Sequence, residues 1–136
     1  MDAQRRESVA RFAELAAEDL HVARLCLAGD PPAHRPASFH AQQAAEKYLK
    51  AWLVALGVDE PPLTHDLVEL ARRLAARGAP SLAEEPLRFL TRFAVRPRYG
   101  LEHRTPGEAG RAIAEAARIE GTVASALEAW AAPGAE

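Results

Sequence analysis

The stretch Ser38-Phe39-His40-Ala41-Gln42-Gln43-Ala44-Ala45-Glu46-Lys47-Tyr48-Leu49-Lys50-Ala51-Trp52-Leu53 decides the fold. Alanine and leucine recur in it at helical spacing, without the period-2 alternation of a strand. At about 100° per residue, Ala41, Ala45, Tyr48, Leu49, Trp52, Leu53 and Leu56 form one apolar arc. Gln42 falls inside that arc and Glu46 on its edge, where a plain core helix carries leucine. A buried amide without partners costs roughly 1–3 kcal/mol, so Gln42 and Glu46 predict a polar network with another helix. Asp19 is the candidate partner, because it also intrudes on the apolar face of its own helix. Lys47 and Lys50 fit a solvated side, with Glu46 four residues ahead of Lys50 in the favourable ion-pair order. Direct catalysis by Glu46 is the lesser alternative.

Outward from this segment the chain reads as helix after helix. A first helix is predicted from about Gln4 to Leu27, with Val9, Phe12, Ala13, Ala16, Leu20, Ala23 and Leu27 on one face and Gly29 beyond its end. A Pro-rich loop, Asp30 to Pro36, precedes the helix of Ser38 to Leu56, which Gly57 stops. A third helix starts at Thr64 or Asp66, where Asp66 and Glu69 form a capping pair, and ends near Gly78. A fourth is expected to begin at Pro86 and to end before Pro97. Thr105-Pro106-Gly107-Glu108 supplies an N-cap, a first-turn proline and a capping-box glutamate for a last helix running to about Ala132. The expectation is one all-α domain over residues 1–136, an up-and-down antiparallel bundle of four to five helices.

The length of 136 residues suffices for a core without staples. A formal net charge of −2 offers no global argument for nucleic acid or membrane, so any such argument must be local. Cys26 is the only cysteine, which excludes an internal disulfide, and inside an amphipathic helix it reads as a small buried thiol. No window reaches the roughly 18 apolar residues of a spanning helix, and the N-terminus lacks a signal core; a cytoplasmic protein without membrane contact is expected. His65 reads as a helix-start residue, and His40 and His21 as surface histidines. None has metal-ligand spacing with another, so neither a metal nor a cofactor is expected.

Residues 88 to 104 supply the local charge: Arg88, Arg92, Arg96, Arg98 and Arg104 stand against the single acid Glu102, with Phe89, Phe93 and Tyr99 interleaved. Such a segment suits a polyanion, with arginines on phosphates and an aromatic stacked on a base. The competing reading makes Arg88, Arg92 and Arg96 the wet face of a helix, paired with Glu84 and Glu85, and makes Phe89 and Phe93 core.

Phe39-His40-Ala41-Gln42-Gln43-Ala44-Ala45-Glu46-Lys47, Leu49-Lys50-Ala51 and Thr64-His65-Asp66-Leu67 together resemble the HEPN family, helical domains named for nucleotide binding in higher eukaryotes and prokaryotes. Asp19-Leu20 and Arg98-Tyr99 extend the resemblance over about residues 5 to 130. It implies an all-α bundle that dimerises and that associates with minimal nucleotidyltransferases in toxin–antitoxin modules. Many members are metal-independent ribonucleases marked by an arginine and a histidine four to six residues apart. Arg98 and His103 match that spacing, and Arg96 is the substitute arginine. Histidine moves a proton near neutral pH, and arginine neutralises charge on the phosphorane. Tyr99 departs from the small polar residue that active members often carry after the arginine. Arg92, Arg96, Tyr99 and Arg104, with Lys47, are the candidate contacts to RNA or nucleotide. The alternatives are a non-catalytic module that binds nucleotide or docks a nucleotidyltransferase, and a purely structural homodimer.

Overall fold

The computed structural model describes residues 2–94 and 105–133. Those residues form an all-α bundle of five helices: α1 (Ala3–Ala28), α2 (His34–Ala55), α3 (Leu67–Ala76), α4 (Glu84–Thr91) and α5 (Pro106–Ala131). None of them is long and apolar enough to cross a membrane.

Local chemistry explains most of the boundaries. Asp2 caps α1 by accepting from the Gln4 amide at 2.9 Å. Thr105 and Glu108 complete a reciprocal capping box on α5. Helices α2 and α4 both begin earlier than their prolines suggest, at His34 and Glu84 rather than Ser38 and Pro86. Pro36 and Pro86 each occupy the third helical position, where the missing N–H would have had no intrahelical acceptor. α2 and α3 end alike. Gly57 and Gly78 take positive φ, and the amides of Val58 and Ala79 reach back to the carbonyls of Leu53 and Leu74.

α2 is the centre of the bundle. Fifteen of its twenty-two residues are buried, among them Ala41, Ala44, Ala45, Leu49 and Leu53. Alanines on the facing sides of α1 and α5, including Ala16, Ala23, Ala112 and Ala116, let neighbouring helices approach closely. Leu67, Leu70 and Leu74 of α3 and Leu87, Phe89, Leu90 and Phe93 around α4 close the core. Each fully buried leucine contributes about 1.5–3 kcal/mol relative to exposure. Cys26 is only partly buried, because it lies at the edge of the α1 apolar stripe rather than at its middle.

Contacts along the helices fix their directions. Arg5, at the start of α1, bonds to the Val54 carbonyl at the end of α2, while Asp19 meets His40 and Lys47 nearer its beginning. α1 and α2 are therefore antiparallel. The connection after Leu56 carries the chain back beside α2, so His65 lies against Glu46 and Arg77 against the Leu56 carbonyl. At the other end of α3, the Leu67 amide donates to Thr91 Oγ1 and Arg92 pairs with Glu108. The starts of α3 and α5 and the end of α4 thus share one end of the bundle.

Candidate functional site

The polar positions of α2 divide between two neighbours. On the α1 side, Asp19 accepts from His40 Nδ1 at 2.8 Å and from the Lys47 ammonium. On the α3 side, Glu46 accepts from His65 Nδ1 at 2.8 Å, from Lys50 Nζ at 2.9 Å and from Gln42 Nε2 at 3.2 Å. Gln42 also donates to the His65 carbonyl at 3.3 Å, and its own oxygen accepts from Gln43 at 2.6 Å. Gln42 and Glu46 thus sit in one network and Asp19 in another. The contact expected between Asp19 and the Gln42–Glu46 pair is replaced by two carboxylate–imidazole pairs on two separate flanks of one helix.

The α3-side cluster is deeply placed. Gln42 is fully buried, Glu46 is 5% exposed and Lys50 8%. Lys50 is therefore not on a solvated face, because its ammonium turns back onto a buried carboxylate. Burial pushes the Glu46 carboxyl up, but hydrogen bonds from His65, Lys50 and Gln42, with the Lys50 charge, outweigh it and hold the group below its ordinary range. Each carboxylate fixes the orientation of its imidazole through Nδ1 and directs Nε2 away from the pair. The two histidines read as ordinary from spacing alone, His65 and His40, are the ones that answer the buried Glu46 and the partly buried Asp19. Among the described residues no group of three or more His, Cys, Asp or Glu side chains converges as a metal site.

At the end of the bundle shared by α3, α4 and α5, Arg92 pairs with Glu108 at 3.2 Å and lies over the rings of Phe89 and Phe93. Arg88 bonds to Glu84, as the wet-face reading expects, and Arg111 binds Glu85 and stacks 3.9 Å from the Phe89 centroid. Phe89 and Phe93 are buried and meet edge to face, so they belong to the core and offer no stacking surface to a base. Arg96, Arg98, Tyr99, His103 and Arg104 lie outside the described residues. Lys47 is on the α1-facing flank of α2, committed to Asp19.

The family model described as HEPN domain matches residues 9–126. The chain belongs to the HEPN family. Nothing matches among curated proteins or among solved structures. In this HEPN chain the matched span takes in all of α2 and α3, hence both polar networks, and most of α5.

Proposed function

We propose that this HEPN protein acts on RNA as a metal-independent endoribonuclease, with Arg98 and His103 as its catalytic pair. The observation that carries the reading is the HEPN match over residues 9–126 combined with an arginine and a histidine at the spacing of the family's ribonucleases. In the proposed reaction the 2′-hydroxyl oxygen attacks the adjacent phosphorus and the P–O5′ bond breaks. The products are a 2′,3′-cyclic phosphate and a 5′-hydroxyl. His103 moves the proton and Arg98 stabilises the charge gathering on the phosphorane oxygens. Arg92, Arg96, Arg104 and Tyr99 then hold the strand, with arginines on phosphates and Tyr99 as the stacking ring.

The same reading makes the protein the toxin-like component of a module with a minimal nucleotidyltransferase and a homodimer in the cytoplasm, two Arg98–His103 pairs facing one cleft. Co-expression with the neighbouring gene product and sedimentation at micromolar concentration test those two parts. The catalytic part is tested by incubating RNA with the protein in chelator, wild type beside His103→Ala. Cleavage by the wild type that falls about a hundredfold or more in the variant is expected. Equal cleavage by both, or none by either, overturns it and leaves the non-catalytic binding module.

A further inference from the structure

His65 stands just before α3, and its side chain is 58% exposed. Behind it the Glu46 carboxylate is buried and divides its two oxygens. Oε2 takes the Lys50 ammonium at 2.9 Å, while Oε1 faces His65 Nδ1 at 2.8 Å. Gln42 fastens both sides of this contact, donating to Glu46 Oε1 at 3.2 Å and to the His65 carbonyl at 3.3 Å. An ionised carboxylate only accepts, so Nδ1 carries the hydrogen. A change of protonation in this ring therefore falls on Nε2, the nitrogen turned away from Glu46. The place of the ring matters as much as its pose. Two residues on, the Leu67 amide donates at 3.2 Å to Oγ1 of Thr91, the last residue of α4. Residues 95–104, which carry Arg98 and His103, follow the end of α4 and lead into the start of α5 at this same end of the bundle.

We propose that His65 is a second catalytic histidine, giving its Nε2 proton to the 5′-oxygen as the P–O5′ bond breaks. This rests on the ribonuclease reading above, in which His103 alone moves protons. His103 takes the 2′-hydroxyl proton, and the 2′-oxygen bonds to phosphorus. The electron pair of the breaking P–O5′ bond stays on the 5′-oxygen and collects the proton from His65. The ring keeps its Nδ1 hydrogen throughout, and Glu46 balances its charge while both nitrogens carry hydrogens. Lys50 and Gln42 hold the carboxylate and are positioning residues. Proton exchange with water returns both histidines to their starting forms.

Cleavage of two substrates in chelator, RNA and uridine 3′-(p-nitrophenyl phosphate), tests the assignment. Nitrophenolate leaves without a proton, so only the RNA needs an acid. His65→Asn keeps an N–H donor at the place of Nδ1 and removes Nε2. It is expected to lose about a hundredfold in kcat on RNA and less than about threefold on the nitrophenyl ester. His103→Ala should lose on both. His65→Ala gives up only a contact of a largely exposed ring, so it should show the same split. It decides alone if the Asn variant fails to melt cooperatively. Undiminished RNA cleavage by His65→Asn beside an inactive His103→Ala overturns this proposal and keeps the ribonuclease reading. An equal loss on both substrates also overturns it, because that is the signature of a misplaced site and not of a missing proton donor. No RNA cleavage by the wild type removes both readings together.

Discussion

Removing the Glu46 carboxylate leaves a buried cation behind. In Glu46→Ala, Lys50 Nζ loses the oxygen 2.9 Å away while its side chain stays packed inside the bundle. Gln42 keeps its bond to the His65 carbonyl, so its amide is only partly stranded. The lost contact to His65 adds little, because that imidazole is more than half exposed. Most of the loss comes from the uncompensated ammonium, since breaking a buried ion pair from one side costs about 3–5 kcal/mol. That is a large share of the roughly 5–15 kcal/mol that holds a domain together. In a chain of this size it lowers Tm by on the order of 10–15 °C. Replacing both partners, Glu46→Leu with Lys50→Met, removes the charge problem and should return the protein to within about 2 kcal/mol of wild type. Thermal and urea unfolding followed by circular dichroism at neutral pH measures all three. A loss below about 1 kcal/mol in Glu46→Ala, or a double variant as unstable as the single one, refutes a dry ion pair and returns Lys50 to solvent.

The same carboxylate predicts an acid limb. Its folded pKa lies below its unfolded value, so its contribution is complete above about pH 4.3 and fades as pH falls through the lower folded value. Urea midpoints of wild type and Glu46→Gln should therefore differ most at neutral pH and converge on going from pH 4 toward pH 3; a constant gap contradicts the assignment. At the start of α3, Asp66 accepts from the amides of Val68 at 3.0 Å and Glu69 at 3.4 Å. Asp66→Ala should lower stability by about 1 kcal/mol, with Asp66→Asn retaining most of it, both read from urea melts.

The helices were legible because their signals are local. The capping box at Thr105–Glu108, the apolar arc from Ala41 to Leu56 and the terminal glycines Gly57 and Gly78 all act within a few residues. The starts of α2 and α4 fall before their expected places for one physical reason. A proline in the interior breaks a helix, but a proline in the first turn sacrifices nothing, and spacing alone does not say which turn it is in. The presence of a polar network at Gln42 and Glu46 could be foreseen from the expense of an unpartnered amide. Its partners could not. His65 meets Glu46 only because the chain after Leu56 doubles back along α2, and that path is set by the packing of Leu67, Leu70 and Leu74, not by anything near Glu46.

The division of labour along α2 follows from the same geometry. His40 and Lys47 face α1, whereas Gln42, Glu46 and Lys50 face α3, the two rows lying about 100° apart around one helix. A helix buried between two partners can carry two such rows and still present its leucines to a third side. The polar residues of this stretch therefore record α2 being the central helix: they answer groups on neighbouring helices or one another.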